Sequence, residues 1–314
     1  MSKTWIVSIE MHTLPGGGRG ALYAGIPVQA PCRTQLEAAR RLGHLTAVVV
    51  SDRESYGTQY DDVVDAWLIT HTQDPATIVH VLKSLHGEIA AVYSSVDSFV
   101  RIAAEVAAKL QLRGPATLGP GIARDKATAR AALAEAGVPD IRWGVKSAFD
   151  EDLDSPIGYP CVVKPVDGAS SWDVALVRDE KAVRELAARH LSRAYGRRVR
   201  PQRRLLFEEV LEGPLLSAEG FVDERGVHVI GYSDRVMSAP PHFVELAVRF
   251  STERPFPEAD TYVATTLSAL DYDFGAFHLE FILTTDGPRL VELNPRMVGA
   301  GVQHAMSHIM GAPP

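Results

Sequence analysis

The sequence predicts a mixed fold, α/β in its first part and α+β in the remainder, and two observations carry this prediction. Apolar strand patterns alternate with helical patterns over residues 5–112, which favours an open, largely parallel sheet. From residue 159 onward, strand patterns follow one another with few helices between them, which favours an antiparallel sheet. The stretch GPATLGPG (114–121) marks a boundary. We therefore expect three units, at 1–114, 115–207 and 208–314.

The first unit combines four predicted strands with three predicted helices. The strands are WIVSI (5–9), LTAVVVS (45–51), AWLIT (66–70) and IAAVYS (89–94), and the helices are 33–44, 75–86 and 99–112. The Gly-rich segment 12–27 follows the first strand, but it does not fit the dinucleotide pattern GxGxxG, and the sequence has no Gly-Lys pair for a P-loop. We interpret this segment as a flexible insertion, and a mobile loop over a ligand is the alternative.

The remainder of the chain starts with a helix predicted at 123–136 and ends with a predicted hairpin. Strands are expected at 159–168, 172–177, 203–211 and 217–237, and a further helix is expected at 179–195. Near the end, HLEFIL (278–283) and RLVELN (289–294) flank the turn signal Asp286-Gly287. Glu280 and Glu292 are therefore expected on facing strands.

The composition favours a soluble globular protein with a small-molecule ligand. Hydrophobic residues make up 46% of the chain and charged residues 23%, which is enough to form substantial cores. The net charge of -7 argues against a nucleic-acid partner or an anionic membrane surface. The sequence has no apolar run near the roughly 20 residues that span a bilayer. Cys32 and Cys161 form no CxxC motif, and no secretory signal is recognised, so we expect a cytoplasmic location.

Two lysines stand where a phosphate site would need them. Lys164 ends the apolar run YPCVVK and precedes a loop of small residues, whose amides and hydroxyls can approach phosphate. Lys126 stands near the start of the predicted helix 123–136, and helix N-termini favour anions. The chain has only seven lysines against twenty-five arginines, so this placement favours a triphosphate site. Two solvated surface lysines are the alternative.

The predicted hairpin carries a set of hard oxygen ligands. If Glu280 and Glu292 share a face, their carboxylates converge with the amide oxygen of Asn294, the single asparagine of the chain. Magnesium prefers such ligands, and it would relieve the repulsion between two facing acids. Arg296 follows at the strand end, where its planar fork can hold a phosphate or carboxylate. A hairpin with exposed, salt-bridged acids is the alternative.

These segments, in this order, resemble the ATP-grasp enzymes, and most of all the ADP-forming carboxylate–amine ligases of the L-amino-acid ligase type. The resemblance is carried by DKATARAALAEAGVP (125–139), YPCVVKPVDGASSWDV (159–174), LLFEEVLEGPLLSAEGF (205–221) and the segment 278–301. It implies an ATP-grasp fold with an N-terminal pre-ATP-grasp domain. It also implies ATP and Mg²⁺ as cofactors, with Mn²⁺ as a substitute, and a carboxylic acid and an amine as substrates. A homodimer is a further expectation.

The resemblance assigns roles to individual residues. The expected ATP contacts are Lys126, Lys164, Ser170, Ser171, Glu208, Glu209, Leu211 and, for the ribose, Glu212. The expected metal ligands are Glu280, Glu292 and Asn294, and Arg296 acts with Lys164 in catalysis. The expected substrate contacts are Glu219, His242, Glu245, Gly299 and Gly301. His304 and His308 have i, i+4 spacing, and we interpret them as helix surface or pocket lining.

The implied reaction converts a carboxylate to an acyl phosphate, which an amine then attacks to form an amide. One departure concerns Leu215, because many ATP-grasp chains have a ribose-binding acid directly after the hinge Gly-Pro. The other is length, since similar ligases continue well beyond the NPR motif. The alternative functions are an ATP-grasp carboxylase, a phosphotransferase, and a nucleotide-binding module without complete catalysis. A dinucleotide oxidoreductase lacks its fingerprint.

Overall fold

The computed structural model describes residues 3–10, 22–23, 26–27, 32–58, 60–168, 171, 173–192, 202–241 and 243–311. The strands are β1 (Trp5–Ile9), β2 (Leu22–Tyr23), β3 (Ile26–Pro27), β4 (Leu45–Val50), β5 (Ala66–Ile69), β6 (Ile89–Tyr93), β7 (Trp143–Ser147), β8 (Cys161–Pro165), β9 (Ala175–Val177), β10 (Arg204–Glu209), β11 (Leu215–Asp223), β12 (Gly226–Met237), β13 (Glu245–Ser251), β14 (Gly275–Thr284) and β15 (Gly287–Asn294). The helices are α1 (Cys32–Arg41), α2 (Pro75–Leu82), α3 (Val100–Lys109), α4 (Leu118–Arg124), α5 (Lys126–Glu135), α6 (Glu180–Ser192), α7 (Ala259–Ala269) and α8 (Ala300–Met310).

The first sheet is parallel throughout, as the alternating pattern predicts. Its strand order is β5-β4-β1-β6, and each neighbouring pair runs in the same direction. The carboxyl ends of β1 and β6 therefore lie at one edge of this sheet, where polar residues follow both strands. In this part of the chain, the predicted strands and helices are confirmed to within a few residues at their ends.

The second and third sheets are antiparallel. The central sheet has the order β7-β10-β8-β9, and the C-terminal sheet has the order β13-β12-β11-β14-β15. The β pattern at 217–237 forms a pair of strands, because the chain reverses between Asp223 and Gly226, which face each other across the turn. Gly226 adopts a φ of 116°, a backbone conformation that favours glycine.

The helix predicted at 123–136 is two helices with a break at Asp125. The backbone of Asp125 is extended, and its side chain accepts from the amides of Ala127 and Thr128, so it caps α5. The amide of Lys126 then bonds the carbonyl of Val166 at 2.9 Å, at the end of the central sheet. Because of this break, Lys126 is the first residue of α5, and it lies beside the loop that follows β8.

The strand β7 and the helix α7 are among the elements that the sequence analysis does not predict. All five residues of β7 are half-buried, so the strand lacks the alternation that identifies a two-faced strand. In α7, threonine and tyrosine lower the helical propensity, and burial of Val263 and Leu267 in the main core stabilises the helix. That core joins α4, α5 and α7 to the C-terminal sheet. In the described segments, no helix is long and apolar enough to cross a membrane.

Candidate active site

A cavity of about 420 Å³ lies between the central sheet and the hairpin of β14 and β15. One part of its lining is apolar: Ile141, Val162, Val210, Leu211, Ile282 and Leu290. Another part is charged: Lys126, Lys164, Glu208, Glu280 and Glu292. An apolar cleft suits a flat base, and a cationic group beside paired acids suits phosphates and a metal ion.

Lys164 belongs to a buried charge network on the central-sheet wall. Its Nζ lies 2.7 Å from the Glu208 carboxylate, which also accepts from Arg130 at 2.8 Å. Arg130 is 2% exposed and pairs with Asp140 at 2.8 Å as well. Burial opposes ionisation of Glu208, but the charges of Arg130 and Lys164 outweigh it and lower the pKa of Glu208. Burial also lowers the pKa of Lys164, against the effect of Glu208.

Lys126 reaches from α5 to the hairpin. Its Nζ lies 2.8 Å from Oε2 of Glu292 and donates to the carbonyl of Gly168 at 2.8 Å. Glu292 also accepts from Nδ2 of Asn294 at 3.1 Å. Burial raises the pKa of Glu292, but the Lys126 ammonium more than offsets this and holds the pKa well below its usual range. Lys126 therefore neutralises the acid that the sequence assigns to a metal.

The hairpin has the register that the sequence analysis expects. Glu280 faces Glu292 directly across β14 and β15, and His278 faces Asn294. An irregularity in the ladder follows Glu280. Both acids line the cavity, so the two carboxylates converge on the same space as the lysines.

His278 and Arg235 are functional candidates that the sequence analysis missed. His278 Nδ1 lies 2.8 Å from Glu219 and its Nε2 lies 2.8 Å from Glu280. Burial lowers the pKa of His278, but the two acids outweigh it and raise the pKa to about 9. Arg235 Nη1 pairs with Glu245 at 2.9 Å and lies 3.5 Å from Glu280. The signal for His278 was its i, i+2 spacing with Glu280, which places both side chains on one strand face.

Arg296 is held by the first unit of the chain. Its Nε and Nη2 donate to the two carboxylate oxygens of Asp97 at 2.6 and 2.8 Å, and its Nη1 donates to the carbonyl of Met297 at 2.8 Å. Asp97 lies between β6 and α3, almost 200 residues away in the sequence, so no local pattern could have predicted the pair.

The other predicted site residues divide into two groups. Those that line the cavity are Ser171, Glu209 and Leu211, together with Leu215. Those that are absent from its lining are Glu212, Glu219, Glu245, Asn294, Arg296, Gly299 and Gly301. Ser170 and His242 lie outside the described residues.

Several of the residues outside the lining have a clear position. Glu212 is exposed, and Glu219 is 1% exposed and accepts from Ser217 at 2.7 Å. Gly299 precedes α8 and Gly301 lies in its first turn, both exposed. His304 and His308 are exposed on α8, so they are helix surface. Cys32 and Cys161 are free and buried.

The hairpin residues fit a divalent cation. Among the described residues, no group of three or more His, Cys, Asp or Glu side chains is arranged to hold a metal ion. The candidate set here is two carboxylates and one amide, a set of hard oxygen donors that leaves positions for water and phosphate. Lys126 is the ion-pair partner of Glu292, so a cation between Glu280 and Glu292 can replace the lysine in that role.

Comparisons with known proteins agree with this geometry. Residues 36–114 match the ATP-grasp N-terminal domain and residues 157–304 match the ATP-grasp domain. The uncharacterized protein y4rH of Sinorhizobium fredii is 30% identical over 273 residues, which are 85% of this chain and 56% of that protein. The chain therefore spans little more than half the length of this curated relative.

Solved structures share the fold at low sequence identity. The L-amino acid ligase of Bacillus licheniformis has a TM-score of 0.73 at 20% identity, over 97% of this chain and 70% of that one. The N5-carboxyaminoimidazole synthetase of Staphylococcus aureus, solved with ADP, has a TM-score of 0.67 at 14% identity, over 95% and 72%. The biotin carboxylase of Campylobacter jejuni has a TM-score of 0.66 at 17% identity, over 97% and 67%.

The two domain matches, at residues 36–114 and 157–304, identify the family. The chain belongs to the ATP-grasp family.

Proposed function

We propose that this chain is an ATP-dependent, ADP-forming carboxylate–amine ligase. The observation that carries the proposal is the direct pairing of Glu280 with Glu292 in the cavity that Lys126 and Lys164 also line. Together these groups suit a triphosphate with its metal ion, and the apolar lining suits the adenine. The similarity in fold to L-amino acid ligase favours an amino acid or a related acid as the substrate. The units 1–114, 115–207 and 208–314, a homodimer and a cytoplasmic location belong to the same proposal.

The lysines and acids bind and orient the phosphates. Lys164 is fixed by Glu208, so its ammonium offers a point charge with little freedom to move. When a divalent cation binds Glu292, Lys126 would leave that carboxylate and bind a phosphate instead. Glu280, Glu292 and Asn294 would hold Mg²⁺ or Mn²⁺. When bound, the ion supplies charge neutralisation at the transferred phosphoryl group.

The acid and the amine would meet at the end of the cavity nearest Arg296 and Arg235. A substrate carboxylate attacks the γ-phosphorus and releases ADP, which leaves an acyl phosphate. A neutral amine then attacks the acyl carbon, phosphate leaves, and the amine loses a proton as the amide forms. Arg296, Gly299 and Gly301 are the candidate donors to the oxyanion. Glu245 is the candidate partner of a substrate ammonium. Binding of that ammonium would break the ion pair between Glu245 and Arg235.

The test is ADP release from ATP and Mg²⁺ with amino acids supplied singly and in pairs, with products identified by mass. A ligase gives release that depends on a pair, and a product lighter by one water than their sum. Bicarbonate-dependent release would identify a carboxylase instead, and a product that retains phosphate would identify a phosphotransferase. ATP binding without substrate-stimulated release would identify a nucleotide-binding module.

A matched pair of lysine variants controls this experiment. Lys164→Ala removes a cavity lysine, and Lys146→Ala removes a lysine on β7 of the same sheet that pairs with Asp152 and does not line the cavity. We expect the first variant to lose turnover and the second to retain it, with both folded by circular dichroism. Equal rates in the two variants would contradict the role of Lys164.

A further inference from the structure

Asp97 connects the first unit of the chain to Arg296, which follows β15. Asp97 holds Arg296 by two hydrogen bonds, in the side-on geometry that fixes both the position and the plane of a guanidinium. Both side chains are largely buried, with 15% of Asp97 and 17% of Arg296 exposed. A planar fork held in this way cannot turn without breaking both bonds.

The turn that carries Asp97 is held by a buried acid, Glu10, at the carboxyl edge of the parallel sheet. Glu10 follows β1, and its two oxygens accept from the amide and the hydroxyl of Ser95 at 2.9 and 2.7 Å. The hydroxyl of Ser8 donates to the same carboxylate at 2.5 Å. Ser95 stands two residues before Asp97, so Glu10 fixes the turn from which Asp97 projects. A hydrophobic residue would fill this position at lower cost, because an acid buried to 3% exposure must be solvated by the protein.

The remaining hydrogens of the guanidinium are available to a ligand. Arginine has five N–H groups, and the contacts of Arg296 within the described residues use three of them, two with Asp97 and one with Met297. One N–H on each Nη is left, a pair that suits two oxygens of a phosphate or carboxylate. Burial lowers the pKa of Arg296, but Asp97 and, more weakly, Glu292 and Glu280 outweigh it and raise the pKa, so the guanidinium keeps its charge.

We propose that Asp97 is a positioning residue that aims Arg296 at the reacting phosphoryl or acyl group. Glu10 and Ser95 support Asp97, so the parallel sheet of the first unit sets the geometry of the reaction. This proposal rests on the proposed function, because it gives Arg296 a substrate to meet. It gives a reason why Asp97 of the first unit pairs with Arg296, which follows the hairpin.

The test compares Asp97→Asn with Asp62→Asn. Asp62 also accepts two hydrogen bonds from an arginine, Arg33, in the same unit, but its side chain is 64% exposed. We expect kcat to fall about a hundredfold in Asp97→Asn, the size of effect that a misplaced catalytic group produces. The KM for ATP should change less than about threefold, since Asp97 does not line the cavity. Asp62→Asn should stay within about twofold of the parent protein in both constants.

A double variant separates positioning from a general loss of structure. If Asp97 acts through Arg296, Asp97→Asn combined with Arg296→Lys should be no more than about threefold slower than Arg296→Lys alone. Independent effects that multiply would overturn the proposal, as would a kcat for Asp97→Asn within about threefold of the parent. If Asp97→Asn does not fold, Asp97→Glu serves instead, and it should lower kcat with KM unchanged; an unchanged kcat would overturn the proposal.

A second readout does not need turnover. The Nε–H signal of Arg296 in ¹⁵N-arginine-labelled protein can be assigned by its loss in Arg296→Lys. We expect it to exchange at least about tenfold faster with solvent in Asp97→Asn, and to shift on addition of ADP, Mg²⁺ and inorganic phosphate only while Asp97 is present. If no substrate supports turnover, the proposed function fails while this signal still decides the proposal. A signal that responds equally in both proteins overturns it.

Discussion

The two walls of the cavity balance their charges in different ways. On the central-sheet wall, Lys164 on β8 pairs with Glu208 on the neighbouring strand β10, and Arg130 lies behind them. On the hairpin wall, Glu280 and Glu292 face each other, and each of them pairs with a different side chain. Lys126 of α5 serves Glu292, and His278 serves Glu280.

We expect this difference to decide which wall changes when a ligand binds. The central-sheet network pairs Lys164 with Glu208, which Arg130 also holds, so we expect it to keep Lys164 in place throughout a reaction. Of the two hairpin acids, Glu292 is balanced by Lys126, a lysine that also suits a phosphate, so we expect a divalent cation to exchange with it. The comparison predicts that the first wall contributes mainly to stability and position, and the second mainly to ligand binding.

The largest expected effect is on the hairpin wall. Glu292→Gln keeps the shape of the side chain but removes its charge, so both the cation and Lys126 lose their partner. We expect turnover to fall by about a thousandfold and Mn²⁺ binding, followed by electron paramagnetic resonance, to be lost. Glu253→Gln, at an exposed position, is the control. Full Mn²⁺ affinity in Glu292→Gln would remove the hairpin as the metal site.

The central-sheet wall should respond in stability. Glu208→Gln leaves Lys164 buried without its acid, and breaking a buried pair in this way costs about 3 kcal/mol of unfolding free energy. Adding Lys164→Met should recover part of that loss, since Arg130 keeps Asp140. Glu209→Gln on the same strand breaks a half-exposed pair with Arg142 and should cost under about 1 kcal/mol. Urea unfolding measures all three, and equal losses in Glu208→Gln and Glu209→Gln would refute the distinction.

The pH dependence of stability should identify His278. Its pKa is raised to about 9 in the folded protein, from an ordinary value of 6.5. A raised pKa contributes stability that is complete below pH 6.5 and is lost as the pH rises through 9. In EDTA we expect roughly 2 kcal/mol of unfolding free energy to disappear between pH 7 and 9.5. His278→Gln should flatten this slope; an unchanged slope in the variant would assign it to another group.

The smallest expected effect concerns the ribose. Leu215 begins β11 and lines the cavity where many ATP-grasp chains have an acid. Leu215→Glu should therefore tighten ATP binding about fivefold, and it should not tighten binding of 2′,3′-dideoxy-ATP, which lacks the hydroxyls. Isothermal titration measures both. Tighter binding of both nucleotides, or of neither, would show that position 215 does not contact the ribose hydroxyls.

Local patterns in the sequence predicted the parallel sheet and the C-terminal hairpin. Alternating apolar runs gave the parallel sheet, and Asp286-Gly287 gave the hairpin and the pairing of Glu280 with Glu292. The break at Asp125 was missed because a capping side chain competes with helix periodicity, which continues through it. The strand β7 was missed because all its residues are half-buried.

The partners of the site residues were beyond local patterns. Arg130, Arg235 and Asp97 stand on elements far in sequence from Glu208, Glu280 and Arg296, and only tertiary packing brings them together. These ion pairs exist only in the folded chain, so no sequence motif predicts them. The predicted ligands were identified by their chemistry, and the residues that position them emerged from the structure.

The central claim is that the carboxylate of one substrate is activated by transfer of the γ-phosphoryl group. The most direct measurement uses amino acids labelled with ¹⁸O in the carboxyl group, together with ATP, Mg²⁺ and unlabelled amine, and follows the label by ³¹P nuclear magnetic resonance. The account predicts that each phosphate released with ADP carries one ¹⁸O atom from the acid. Label in AMP, or ADP formed with unlabelled phosphate, would contradict it.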